Sequence, residues 1–126
     1  MKAILDTSVL LATDVPELEG ELAISAASLA ELHFGVLVTA DTAVRAERLR
    51  RLSDLQRKFD ALPVDDEVAV SYGQLAAAVA STGRQPRARV MDLLIAATAH
   101  AHGARLYTRN VADLVGIEHL IDIVAV

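Results

Sequence analysis

The 126-residue sequence has no cysteine and no tryptophan, and only two phenylalanines, two tyrosines and three prolines. Without cysteine there is no disulfide framework, no thiolate metal site and no cysteine nucleophile. Aromatic residues make up 3% of the chain, too few for the platforms on which single-strand nucleic-acid binders stack bases. No Gly-x-Gly occurs, so a dinucleotide fingerprint is missing, and nothing resembles a P-loop. No apolar run approaches the roughly 20 residues that span a bilayer. Asp6 interrupts the first apolar stretch too early for a signal peptide. The expectation is a soluble cytoplasmic protein without a membrane partner.

What the chain has in abundance is apolar residues, 53% of the total, with a mean hydropathy of +0.37. A chain of this length and composition is expected to fold as a single domain over residues 1–126. Its net charge of −5 disfavours a general polyanion binder, yet the cations are clustered. One tract holds Arg45, Arg48, Arg50, Arg51, Arg57 and Lys58, the other Arg84, Arg87, Arg89, Arg105 and Arg109. Either tract can meet phosphate.

Lys2 to Leu5 and Leu22 to Ile24 read as buried strands feeding helices. After Asp41, the apolar residues Leu49, Leu52, Leu55, Phe59 and Leu62 recur every three or four positions and predict an amphipathic helix. Leu62 to Val64 reads as a minimal strand. Asp65 is placed to cap a helix that runs to about Thr82 and stops at Gly83. A loop from Arg84 precedes a helix over Val90 to His102, with Gly103 as its C-terminal stop. Arg105 to Thr108 and Ile121 to Val126 complete the strands. Strands separated by helical connections predict a three-layer α/β/α fold around a mostly parallel five-stranded sheet.

Most carboxylates lie in polar stretches, but three are lone anions in apolar company: Asp6, Glu31 and Asp92. An isolated buried carboxylate costs several kcal/mol, so three of them suggest a shared task. The fold predicts where they meet, because open parallel sheets collect function at the carboxyl ends of their strands, at the reversal of strand order. Asp113 follows the fourth strand, with Thr108 and Asn110 beside it. The set contains only oxygen donors, which suits Mg²⁺ or Mn²⁺ better than zinc. Bland alternatives exist at three of the positions, where Asp6, Asp92 and Asp113 are each placed to cap a helix or turn. Glu31, in mid-helix, caps nothing. His33 lies about 200° around the helix from Glu31, and His100 and His102 sit at a helix end, so no histidine is assigned to the site.

Four blocks in order carry a resemblance that spans nearly the whole chain: Ile4-Leu5-Asp6-Thr7-Ser8-Val9-Leu10, Ser28-Leu29-Ala30-Glu31-Leu32 with Gly35, Asp92 through Ala99, and Thr108-Arg109-Asn110 through Asp113. The sequence resembles the PIN-domain endoribonucleases, in particular the VapC-type toxins of bacterial type II toxin–antitoxin pairs. The resemblance implies that Asp6, Glu31, Asp92 and Asp113 form an acidic quartet binding one or two divalent ions, and that Ser8, Thr108 and Asn110 line the same pocket. It further implies hydrolysis of RNA that leaves a 5′-phosphate and a 3′-hydroxyl, a VapB-like antitoxin whose C-terminal segment covers the pocket, and a homodimer. Leu114 stands where similar proteins usually have phenylalanine. The Gly83-Arg84 pair, with Arg87 and Arg89 beyond it, is expected to face RNA.

Other classes fit less well. A haloacid-dehalogenase-like phosphatase needs a second aspartate where Ser8 stands, and a receiver domain needs a lysine after its last sheet strand, whereas the last lysine here is Lys58. A different metal-dependent phosphoesterase on the same fold class, or a PIN-like protein kept only for binding a partner, are the remaining alternatives; the intact acids argue against the second.

Overall fold

The structure, a computed structural model, describes residues 1–126. Along the chain it runs β1 (Lys2–Leu5), α1 (Thr7–Leu10), β2 (Glu21–Ser25), α2 (Ala26–Val38), α3 (Thr42–Lys58), β3 (Asp60–Leu62), α4 (Asp66–Ser81), a 3₁₀ turn (Pro86–Arg89), α5 (Val90–Ala101), β4 (Arg105–Thr108), a second 3₁₀ turn (Val111–Leu114) and β5 (Ile123–Ala125). The sheet order is β3-β2-β1-β4-β5, and all four pairings are parallel, so the mostly parallel sheet expected from sequence is wholly so. Every connection is a crossover, long enough to carry a helix or an extended loop.

Alternation along the central strands explains the three layers. Ile4, Ala23 and Leu106 point into one core, shared with Val68, Leu75 and Val79 of α4 and Leu93, Ile95, Ala96 and Ala99 of α5. Their neighbours Ala3, Leu5, Ile24 and Tyr107 point the other way, into a smaller core with Val9 and Leu10 and, at its edge, Leu55 and Phe59. Period-two alternation with both faces apolar is what a parallel sheet covered by helices on each side requires. The helix boundaries are local and chemical: the Asp41 and Asp65 carboxylates accept from the backbone N–H of Val44 and Val68 at the starts of α3 and α4. Gly83 and Gly103, at φ +83° and +59°, take the left-handed conformation that follows α4 and α5.

Two strand boundaries differ from the sequence reading. The amphipathic helix ends at Lys58, and the strand is Asp60–Leu62 rather than Leu62 to Val64. Phe59 and Leu62 are three residues apart, which imitates helical spacing. In an extended chain an odd separation sends side chains to opposite faces, and Phe59 packs on the smaller core while Leu62 packs on the larger. The last strand is likewise shorter than expected, Ile123–Ala125.

No helix is long and apolar enough to cross a membrane.

Candidate active site

β1 and β4 are neighbours at the reversal of strand order: from β1 the chain first builds outward through β2 and β3, then returns to add β4 and β5 on the other side. The carboxyl ends of these two strands therefore form the crevice in which ligands of open parallel sheets are held. Register sets Leu5 beside Tyr107. The next residues, Asp6 and Thr108, are then neighbours at the rim.

Asp6 is buried, at 8% exposure. It occupies the cap position of α1 by backbone, its carbonyl accepting from the N–H groups of Val9 and Leu10, but its side chain makes no capping hydrogen bond. Instead, Asp6 Oδ2 accepts from Ser8 Oγ at 2.7 Å and Thr108 Oγ1 at 2.8 Å. The same two hydroxyls accept from the backbone N–H groups of Arg109 and Asn110, at 3.1 and 2.9 Å. A closed circuit of hydrogen bonds thus ties the end of β1 to the loop after β4. Both bonds to Asp6 fall on Oδ2, which leaves Oδ1 without a protein donor.

Asp92 enters from the first turn of α5. Asp6, Asp92, Thr108, Asn110 and Asp113 line one narrow, closely packed cleft, floored by Leu106 and Leu114. Leu114 is itself buried, so it fills this place as an apolar side chain. Burial, followed by the negative fields of Asp6, Asp113 and Glu31, pushes the Asp92 carboxyl up to about 6, while Arg89 pulls the other way. Three carboxylates whose fields reach a fourth, all of them oxygen donors, make a site with a demand for positive charge.

Glu31 is held differently. Its Oε1 accepts from Thr7 Oγ1 at 2.8 Å, and Thr7 Oγ1 lies 3.0 Å from Ser28 Oγ. Glu31 and Thr7 line a second, larger groove of about 420 Å³ between α1, α2 and α3, with Leu11, Leu32, Leu52 and Leu55 on its walls and Arg48 and Arg51 beside it. Arg51 donates to the carbonyls of Leu10 and Ala12, and Arg48 to that of Gly35, so these two cations brace the walls. As placed, no three acidic or imidazole groups close around a single point. Glu31 is turned toward Thr7, and Asp113 is shared with a cation described next.

Of the three arginines expected to face substrate, Arg89 is not free. Its Nη2 lies 3.2 Å from Asp113 Oδ1, which joins the arginine turn to the acid cleft. Arg84 and Arg89 line an adjoining cleft of about 280 Å³ that also ends on Asp113. Arg87 is exposed and lines neither cleft. The stretch read as an open loop contains the one-turn 3₁₀ helix Pro86–Arg89. Among the histidines, His33 is exposed, and His100 Nδ1 lies 2.8 Å from Ser71 Oγ at the opposite end of α5 from Asp92.

Thr7 and the Arg89–Asp113 pair are contacts that the sequence reading did not single out. Thr7 lies inside the Asp-Thr-Ser stretch, and a hydroxyl next to a committed acid is a signal. Nothing in the sequence says which arginine of the turn reaches Asp113, because the bend at Pro86 decides it.

A wholly parallel sheet in this order, with acids gathered at the β1–β4 crevice, defines an open α/β fold with an acidic site at its strand ends, and the chain belongs to the PIN-domain family, whose model matches residues 3–112. That stretch takes in Asp6, Glu31 and Asp92 and stops one residue before Asp113. Among relatives, Ribonuclease VapC5 of Mycobacterium tuberculosis is 37% identical over 113 residues, covering 85% of this chain and 82% of the relative. Ribonuclease VapC8 of the same species is 35% identical over 100 residues, covering 76% and 88%. The solved structure of VapBC-5, a member of the VapBC family of toxin–antitoxin systems from M. tuberculosis, aligns with a TM-score of 0.84 and 32% identity over 99% of this chain and 97% of that one. FitAcB from Neisseria gonorrhoeae shares the fold at a TM-score of 0.77 and 23% identity over 96% and 95%.

Proposed function

We propose that this chain, as one domain over residues 1–126, is a Mg²⁺- or Mn²⁺-dependent endoribonuclease and the toxin of a type II toxin–antitoxin pair. The observation that carries the reading is the convergence of Asp6, Asp92 and Asp113 on one cleft at the β1–β4 crevice, with Glu31 close enough to raise Asp92. Relatives named as ribonucleases, and a structural neighbour from a toxin–antitoxin system, support the same class.

The donor chemistry fits a hard divalent cation. Asp6, through its free Oδ1, and Asp92 would hold it, with Asp113 and Glu31 as supporting ligands. When bound, such an ion supplies an activated water and neutralises charge developing on the phosphate. The chain's own part is orientation and electrostatics. Ser8 and Thr108 fix the plane of the Asp6 carboxylate, Asn110 closes the cleft, Thr7 positions Glu31, and Arg84 and Arg87 offer positive charge to the RNA backbone.

An antitoxin of the VapB kind would lay an amphipathic segment in the groove between α2 and α3, whose far end opens on Glu31. A homodimer acting on RNA in the cytoplasm completes the reading. The deciding experiment is sequencing of 5′-phosphate RNA ends after brief induction. Discrete new ends are expected with the wild-type chain and none with Asp6→Asn or Asp92→Asn. Wild-type cleavage by either variant in the presence of Mg²⁺ means that the site is misassigned.

A further inference from the structure

Arg89 is the one cation placed in contact with the acidic cleft, and it stands on the wall between two cavities. Its guanidinium reaches Asp113 Oδ1 at 3.2 Å, and Asp113 lines both the acid cleft and the neighbouring cleft that contains Arg84. The pair is accessible, with side-chain exposures of 47% for Arg89 and 30% for Asp113, so neither partner is locked in by packing. An exposed pair of this kind contributes little to stability, which leaves the arginine free to change partners. Arg89 is also positioned by short, stiff geometry: it ends a single 3₁₀ turn that begins with Pro86 and runs directly into α5, the helix that carries Asp92. Its charge is felt one carboxylate further in, where it opposes the upward push on Asp92.

We propose that Arg89 is an exchangeable counter-ion: it neutralises Asp113 while the acidic cleft lacks a cation, and it transfers to a phosphate of the RNA strand when a divalent ion takes over Asp113. The inference rests on the metal-dependent nuclease reading above and gives the three arginines different tasks. Arg89 couples metal occupancy to RNA binding, whereas Arg84, in the adjoining cleft and without an acidic partner, contributes to RNA affinity alone. The coupling follows from charge. A guanidinium beside Asp113 competes with an incoming cation for the same carboxylate, and its release from Asp113 is what makes it available to phosphate. Arg89 thus contacts the substrate directly in this scheme, and it opposes metal binding when RNA is absent.

Two measurements on the intact chain test it, neither of which is turnover. Mn²⁺ affinity without RNA is read by electron paramagnetic resonance of the free ion, and affinity for a short RNA is read with Ca²⁺ in place of Mn²⁺ and all four acids intact. Arg89→Gln is expected to tighten Mn²⁺ binding by roughly three- to tenfold, as removal of one nearby positive charge at a wet site should. The same change is expected to weaken RNA binding and to lower its salt slope by about one unit or less. Arg89→Lys keeps the charge and should restore wild-type Mn²⁺ affinity. Arg84→Gln should weaken RNA binding with Mn²⁺ affinity unchanged. An Arg89→Gln protein with wild-type Mn²⁺ affinity, or with tighter metal but unaltered RNA binding, overturns the exchange while leaving the nuclease reading intact. A wild-type chain that binds no Mn²⁺, or binds it equally well after Asp92→Asn, overturns the reading and this inference with it.

Discussion

Asp92 shows how a side chain acquires a property that its residue type lacks. Desolvation at the start of α5, then the fields of Asp6, Asp113 and Glu31, raise its carboxyl from the ordinary value of about 3.9 to about 6. The consequence for stability has a definite sign. Between those two values the folded chain retains a proton that the unfolded chain has lost, so this group's contribution is complete below about pH 4 and disappears as pH rises through 6. Without divalent ions, Asp92→Asn is therefore expected to melt at about the wild-type temperature at pH 4 and progressively higher than wild type as pH climbs to 7. Added Mg²⁺ should raise the wild-type midpoint and leave the variant unmoved. Paired thermal melts across that range check it, and a difference that does not depend on pH refutes the assigned field. The acids themselves were legible in the sequence because a lone charge in an apolar run requires a reason. Resemblance put Ser8 and Thr108 in the same pocket, but that both hydroxyls bond one oxygen of Asp6 follows from strand register, and that Arg89 meets Asp113 follows from a proline turn that aims it; neither contact was legible.

Among the elements, α5 carries the most. From Ile95 to Ala99 every side chain is fully buried, and three of the five are alanines that let the helix lie close against the sheet and α4. Its one buried hydroxyl is matched, Thr98 Oγ1 lying 2.9 Å from both Ser25 Oγ and the Leu94 carbonyl oxygen. Because Asp92 opens the same helix, core packing and site geometry are one problem. Ile95→Ala should cost about 2–5 kcal/mol through lost burial and the cavity left behind. Ala96→Leu should cost about 1–3 kcal/mol by overpacking and shift Asp92 as well. Urea midpoints with unchanged slopes would measure the first, and Mn²⁺ affinity of the folded protein the second. The order of elements and both glycine stops could be read from the chain, since periodicity and turn chemistry act locally. The β3 boundary could not. Phe59 and Leu62 fit a helical stripe until the two cores on opposite sides of the sheet are known to exist.

At the scale of the whole molecule, the question is what covers its exposed apolar surface. Phe34, Leu37 and Val38, spaced i, i+3 and i+4 on α2, are 67%, 70% and 59% exposed, and Leu49 on α3 is 51% exposed. Single exposed apolar residues need no explanation, but a stripe beside a leucine-walled groove does. Arg48, exposed on the same side, offers charge to an acidic partner residue, and the groove ends at Glu31, whose field reaches Asp92, so a segment lying in it would also act on the acidic site. The expected assignment is that this stripe receives the antitoxin and that a different face joins two copies of the chain. Light scattering of the purified protein should give twice its 13.4 kDa at micromolar concentration. A Phe34→Glu, Leu37→Glu double variant should keep that mass and lose capture of the product of the adjacent small gene. If the variant instead falls to the monomer mass, the stripe is the dimer interface and the partner must reach the cleft from elsewhere. A wild-type chain that is monomeric and also ignores the neighbouring gene product would be a stand-alone nuclease, because neither covering surface would then have an occupant.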